Sequence, residues 1–197
     1  GAGVITIVGQ EPGGRLGIWV EAGDLDGDGK SDLLLGADQT PAGDPASALY
    51  HRGLVVVIYG RSEFPPVIDL ATDVPGTSFI QGVDSEDHFG SCLHSRDLNQ
   101  DGRAELIAAA SLNRLSASRN PLGQFPAHAT RGGDGPDNGR FECGEVKVIF
   151  GASDGQRLPP VVDLRQPLPP ALAGRVTTIY GRASDDVLGE EITTGDF

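Results

Sequence analysis

The chain has 197 residues, 29 of them glycine and 14 proline, and a formal net charge of −13 at pH 7. This acidity argues against a nucleic-acid partner, which would require a basic patch, and against an anionic membrane surface. No apolar run approaches the ~20 residues of a membrane-spanning helix, so we expect no direct membrane insertion.

A short strand pattern that ends in glycine, at residues 5–9, recurs at 78–82 and 177–181. After each copy comes a large apolar residue followed by glycine, and further along comes an aspartate. Both distances, from the first glycine to the second and from the second glycine to the aspartate, are the same in all three copies. The residues are Leu16-Gly17 with Asp24, Phe89-Gly90 with Asp97, and Leu188-Gly189 with Asp196. A repeat of this length is typical of solenoids, propellers and arrays. We interpret residues 1–14 as the last strand of a preceding unit.

The first repeat leads into an acidic nine-residue loop at 24–32, named loop 1 here. Its side-chain oxygens stand at positions 1, 3, 5 and 9, and position 7 can offer a backbone carbonyl. In order these residues are Asp24, Asp26, Asp28, Asp32 and Lys30. A hard cation such as Ca²⁺ takes about six to eight oxygen ligands, and carboxylates this close repel one another without a cation. Loop 1 therefore predicts a Ca²⁺ site.

Four strands are predicted for the first unit, 15–82. Strand one runs from Leu16-Gly17 into loop 1, and the others are apolar or β-branched runs at 33–37, 54–59 and 77–81. No stretch of the chain shows a sustained helical period with caps. A four-stranded meander repeated in tandem is the blade of a β-propeller. The predicted fold is therefore all-β, with tandem four-stranded antiparallel blades.

The second unit, 83–181, carries the second acidic loop, 97–105, named loop 2. Its oxygen donors are Asp97, Asn99, Asp101 and Glu105, and Arg103 stands at the carbonyl position. One negative charge fewer than in loop 1 predicts a weaker Ca²⁺ site. An EF-hand requires glutamate at position 12, where these loops have Leu35 and Ala108, so that alternative is excluded.

Three further strands follow loop 2, at 106–110, 145–150 and 177–180. The unit is lengthened by a polar, glycine-rich excursion at 111–143. Residues 182–197 are interpreted as the start of a further blade.

The two cysteines, Cys92 and Cys143, fall on the same edge of the predicted blade. In a regular sheet, strand two would separate them by about twice the 4.8 Å strand spacing, which is too far for a disulfide. A folded 111–143 excursion could bring Cys143 inward, so a bridge and two buried free thiols both stay open. The four histidines lack a metal-ligand spacing and are interpreted as ordinary surface or rim residues: His51, His88, His94 and His128.

The repeated unit resembles the FG-GAP repeat of integrin α-subunit propellers and of many secreted bacterial proteins. Phe89-Gly90 matches the FG element, with Leu16-Gly17 as a variant, and Gly36-Ala37 stands where the GAP element falls. The resemblance implies that the calcium loops join strands one and two on one face of the propeller. Intact propellers of this type usually have seven blades, so we expect the sequence to be part of a larger protein.

The resemblance implies a calcium-stabilised, non-catalytic module outside the cell that presents loops to a protein or glycan partner, often in adhesion. The excursions 38–52 and 111–143 are the expected contact loops. Two alternatives stay open. One is a structural subunit of a self-assembling array or filament, joined through open blade faces, and the other is an accessory domain of a secreted hydrolase.

Overall fold

The computed structural model describes residues 3–72, 74–111, 133–140 and 142–195. Most of the 111–143 excursion, together with His128 and Asp196, lies outside the described residues. The described strands are β1 (Thr6–Val8), β2 (Val20–Gly23), β3 (Asp32–Ala37), β4 (Leu54–Ile58), β5 (Val67–Asp69), β6 (Thr77–Gln81), β7 (Phe89–Arg96), β8 (Glu105–Ala110), β9 (Glu145–Ile149), β10 (Val161–Asp163) and β11 (Val176–Tyr180).

Besides these strands, the described residues form two 3₁₀ turns, Pro136–Asn138 and Pro170–Leu172. Within the same ranges, no helix is long and apolar enough to cross a membrane. The predicted all-β fold is confirmed.

The first blade is an antiparallel meander of β2, β3, β4 and β6. Every residue of β4 is buried, because this central strand has a core layer on each of its faces. Since strand side chains alternate between faces, Val55 and Val57 point to one core layer, while Val56 and Ile58 point to the other. The strand therefore reads as a continuous apolar run and not as an apolar–polar alternation.

The second blade repeats the meander with β7, β8, β9 and β11. The larger core layer lies between the two blades, where Leu34 and Val57 of the first pack in one cluster with Phe89, Leu93 and Leu106 of the second. Phe89, which the sequence analysis matched to the FG element, is 1% exposed. The prediction of tandem four-stranded blades is confirmed, and the FG element contributes to the packing between them.

Each unit also contains a short strand that the sequence analysis did not predict. After a Pro-Pro pair, β10 adds in parallel to β6 of the first blade, so that sheet has five strands. The equivalent β5 adds in parallel to β1. The registers agree: the amides of Thr6 and Phe79 donate to the carbonyls of Pro66 and Pro160, respectively, both at 2.9 Å.

Each unit therefore supplies one short strand to the sheet of the preceding unit, β5 to the sheet of β1 and β10 to the sheet of β6. Sheet membership alone therefore does not define the unit boundaries, and the boundaries 15–82 and 83–181 stay predictions.

Both cysteines are buried free thiols. Cys92 lies in β7 and Cys143 stands just before β9, and β8 pairs with both of these strands. Strand β8 therefore separates the two cysteines. The Cys143 thiol instead donates to the carbonyl of Gly133 at 3.2 Å. Burial raises the pKa of Cys92 to about 11 and also raises that of Cys143. Of the two open alternatives, the free thiols are confirmed.

Candidate metal centre

Loop 1 brings three carboxylates together at the turn between β2 and β3. One oxygen from each of Asp24, Asp26 and Asp28 lies within 4.8 Å of the other two. Asp26 is buried, whereas Asp28 is exposed. The predicted ligand positions 1, 3 and 5 therefore converge on one point that solvent can reach.

The backbone of loop 1 holds these side chains in place. The Asp24 carboxylate accepts hydrogen bonds from the amides of Asp28, at 3.1 Å, and Gly29, at 2.8 Å. The amide of Lys30 donates to Asp28 at 2.9 Å. Gly29 has φ = +82°, a conformation that glycine adopts without steric cost. The loop thus wraps its own amides around the first aspartate and holds the carboxylates of Asp24, Asp26 and Asp28 close together.

Loop 2 repeats this hydrogen-bond network. Asp97 accepts from the amides of Asp101, at 3.2 Å, and Gly102, at 3.0 Å. The amide of Arg103 donates to Asp101 at 3.0 Å, as Lys30 does in loop 1. The amide of Asp101 also donates to Asn99 at 3.0 Å, which matches the bond from Asp28 to Asp26 at 3.2 Å. Because the same contacts recur with different side chains, the conformation belongs to the repeat.

Position 9 is buried in both loops. Asp32 lies outside the three-carboxylate group of loop 1, and its two oxygens accept from the amides of Leu25, at 2.9 Å, and Gly60, at 2.8 Å. Glu105 accepts from the amide of Leu98 at 2.6 Å, but its Oε1 is buried without a hydrogen-bond partner in the described part of the chain. A buried carboxylate oxygen without a partner fits a cation-binding loop, because a hard cation would supply the missing contact.

The pKa values of the position-9 carboxyls agree with this fit. Burial raises the pKa of Asp32 to about 6, and the neighbouring carboxylates Asp24 and Asp26 add to the increase. Burial likewise raises the pKa of Glu105. Both groups therefore lie in surroundings that disfavour negative charge, and a bound divalent cation would reverse this effect. Whether Asp32 and Glu105 are ligands stays a prediction.

Two basic side chains partly neutralise loop 1. The Lys30 ammonium contacts Asp28 at 2.8 Å and, by donating a hydrogen bond, lowers the pKa of that carboxyl. Arg157 donates from Nε to Asp26 at 2.7 Å, and its guanidinium lies over the Tyr59 ring at 4.6 Å. The sequence analysis missed Arg157, since it lies 131 residues from Asp26 and no local pattern marks it.

The two loops are neighbours on one end of the blades. The amide of Ala104 donates to the carbonyl of Asp24 at 2.8 Å, which joins loop 2 directly to loop 1. Successive acidic loops therefore share one face.

A second group of side chains that could hold a metal ion lies at the opposite end of the blades. One ligand atom from each of His51, Glu86 and His88 lies within 4.8 Å of the other two, and we name this group the histidine cluster. The interpretation of His88 as a surface residue is wrong, since it is buried. Burial lowers the pKa of His88, but the carboxylates of Asp38 and Glu86 outweigh burial and raise it to about 9. The only local signal was the Glu86-x-His88 spacing.

Comparisons with known proteins identify the repeat. The family model of the FG-GAP repeat matches residues 16–56, which include loop 1 and most of the first three strands of the first blade. The chain is similar to phosphatidylinositol-glycan-specific phospholipase D of Rattus norvegicus and of Homo sapiens, each 34% identical over 99 residues, and of Mus musculus, 35% identical over 99 residues. The matched part makes up 50% of this chain and 11% of each relative. These relatives are mammalian, and the bacterial type expected from the sequence stays a prediction.

Proposed function

We propose that this chain, which carries an FG-GAP repeat at residues 16–56 in tandem propeller blades, is a calcium-stabilised, non-catalytic interaction module of a larger extracellular protein. The observation that carries the proposal is the pair of acidic loops with one hydrogen-bond network. In loop 1 three carboxylates converge, and in loop 2 a buried oxygen of Glu105 has no hydrogen-bond partner within the described residues.

In this proposal Ca²⁺ is held in loop 1 by carboxylate oxygens and one backbone carbonyl. The donors are Asp24, Asp26, Asp28, Asp32 and the carbonyl of Lys30. Loop 2 would use Asp97, Asn99, Asp101, Glu105 and the carbonyl of Arg103. The cation supplies positive charge to the converging carboxylates and fixes the turn between the first two strands of each blade. Its role is structural, through preferential binding to the folded chain.

The proposed partner surface is the end of the blades opposite to the acidic loops. The excursion 38–52 lies there, because it connects the end of β3 to the start of β4, and several of its residues are exposed. A protein or glycan is the proposed partner, since the net charge of −13 disfavours nucleic acid. Most of the other predicted contact loop, 111–143, lies outside the described residues.

The relatives favour a second candidate function, that of an accessory domain of a hydrolase. Their name describes a phospholipase D specific for phosphatidylinositol glycans. The 99 matched residues correspond to 11% of that protein's length, so in this candidate any hydrolytic activity would belong to sequence beyond these residues. The array alternative also stays a prediction. It is supported by apolar side chains about half exposed on strands at the edges of their sheets, such as Val20 at 52% in β2 and Val67 at 54% in β5.

Equilibrium unfolding in urea tests the calcium proposal. Extracellular calcium modules bind with Kd of about 10⁻⁴–10⁻³ M. At about 5 mM Ca²⁺, linkage predicts that two such sites raise the free energy of unfolding by about 2–5 kcal/mol relative to EGTA. Mg²⁺ at the same concentration is the control and should give a smaller shift. Equal unfolding midpoints in Ca²⁺ and EGTA would contradict the proposal.

The intact mass of the protein isolated from its natural source distinguishes the candidate functions. A subunit well above 20.5 kDa with a catalytic domain in the additional sequence would favour the accessory domain. A large subunit built of further blades alone would favour the interaction module. A 20.5 kDa subunit in a large assembly that dissociates in EGTA would favour the array.

A further inference from the structure

The histidine cluster lies where the second blade meets the loop that enters β4 of the first. Oε2 of Glu86 lies 3.3 Å from Nδ1 of His51 and 3.2 Å from Nε2 of His88. The two imidazole rings are tilted by 50°, with their centroids 5.4 Å apart, so neither ring covers the other. Two nitrogens and one oxygen therefore face the same small volume.

The two separations from Glu86 Oε2 match the edges of a tetrahedral metal site, and the two imidazole nitrogens lie within 4.8 Å of each other. Zn²⁺ binds imidazole nitrogen and carboxylate oxygen at about 2.0–2.2 Å. In a tetrahedron the distance between two ligands is about 1.6 times the bond length, so ligand atoms should lie about 3.3–3.5 Å apart. The 3.2 and 3.3 Å separations require only a small adjustment. Imidazole suits Zn²⁺ and its neighbours in the transition series, whereas Ca²⁺ takes oxygen ligands.

His88 is oriented as a metal-binding histidine commonly is. Its side chain is 6% exposed, and its Nδ1 lies 3.6 Å from the Asp38 carboxylate while Nε2 faces Glu86. The contact with Asp38 is an ion pair slightly longer than a hydrogen bond, and both Nδ1 of His88 and Oδ1 of Asp38 are buried, so Asp38 is the charged group that faces this nitrogen. Histidines that bind metal through one nitrogen usually direct the other to a carboxylate, which fixes the ring. Arg15 contacts Asp38 at 3.3 Å and balances its charge.

The second blade junction shows that the fold does not require these side chains. The amide of His88 donates to the carbonyl of His51 at 3.0 Å, and at the next junction the amide of Val187 donates to the carbonyl of Glu142 at 3.1 Å. All four residues have positive φ. The same backbone is thus built with valine in place of the buried His88, so the imidazole at the first junction serves something other than the backbone conformation.

An ion could reach the cluster from solvent. The side chain of His51 is 12% exposed and that of Glu86 is 20% exposed, whereas His88 forms the buried side of the group. Three protein ligands would leave one coordination position toward the open side, where water or a group from a partner molecule could bind.

We propose that His51, Glu86 and His88 bind one transition-metal ion of the Zn²⁺ class, which fastens the second blade to the loop that enters β4 of the first. Asp38 is a positioning residue that fixes the His88 ring. This site is independent of the acidic loops, which lie at the other end of the blades.

The test is a Zn²⁺ titration of the untagged chain in saturating Ca²⁺, with a chromogenic chelator as competitor. We expect one saturable site. His51→Gln and Glu86→Gln should each weaken Zn²⁺ binding by at least about 100-fold, and Asp38→Asn by about 10- to 100-fold. His94→Gln is the matched control, because His94 is also half-buried but bonds Thr194 at 2.8 Å, away from the cluster. Its affinity for Zn²⁺ should equal that of the unsubstituted chain.

Co²⁺ substitution gives a second readout that does not depend on affinity. A tetrahedral site with two nitrogen ligands should give visible absorption bands that His51→Gln reduces and His94→Gln leaves unchanged. If His51→Gln fails to unfold cooperatively in metal-free buffer, Glu86→Gln replaces it in both experiments. The proposal is overturned if the unsubstituted chain shows no saturable Zn²⁺ site, or if the control variant loses as much affinity as the cluster variants.

Discussion

Gly53 is a position where one added methyl group should push the two blades apart. Its φ is +85°, and a Cβ placed there would clash with the backbone nitrogen and oxygen of Phe89 in the second blade. In Gly53→Ala the left-handed conformation costs about 1–2 kcal/mol, and displacement of a well-packed neighbour costs about 1–3 kcal/mol. We therefore expect the free energy of unfolding to fall by about 2–5 kcal/mol.

Gly174→Ala is the control for the conformational part of this effect. Gly174 has φ = +73°, but a Cβ there would meet no atom within 4 Å. Its loss should be limited to about 1–2 kcal/mol. Both variants would be measured by urea unfolding in the same Ca²⁺ concentration. Equal losses at the two positions would refute the argument that the FG element packs directly on Gly53.

Two further predictions concern the thiols and loop 1. Cys92 and Cys143 are buried free thiols whose pKa values are raised, so a thiol reagent at pH 8 should label both slowly in the native chain. In guanidinium without reductant, both should be labelled rapidly. Rapid labelling of the native chain, or no labelling after unfolding, would contradict this prediction. Arg157→Gln should raise the Ca²⁺ affinity of loop 1 by about three- to fivefold, since Arg157 occupies an oxygen of Asp26 in an ion pair worth about 1 kcal/mol. Calcium titration checks this, and a lower affinity would show that Arg157 supports the site.

The sequence predicted what local spacing encodes. The oxygen donors of each acidic loop fall within nine residues, and the four main strands of each blade are apolar runs bounded by glycine, proline or aspartate. These features need no knowledge of distant contacts. The structure accordingly contains both loops and the four main strands of each blade, whereas the described residues 182–195, interpreted as the start of a further blade, form no strand.

The features that the sequence did not reveal depend on contacts between distant segments. β5 and β10 have three residues each, too few to show a period, and they form because another strand offers them an edge. Arg157 reaches loop 1 across 131 residues of sequence, and His51 meets Glu86 across 35. No single-sequence pattern links such pairs, so the histidines were interpreted one at a time.

Calcium stoichiometry tests the central claim most directly. Isothermal titration of the chain should show two Ca²⁺ ions bound, with Kd values of about 10⁻⁴–10⁻³ M and the tighter site in loop 1, which carries one more carboxylate. Asp24→Asn should abolish one site and leave the other, and Asp97→Asn should do the reverse. An absence of saturable binding up to about ten times that range, or binding that neither substitution changes, would contradict the account.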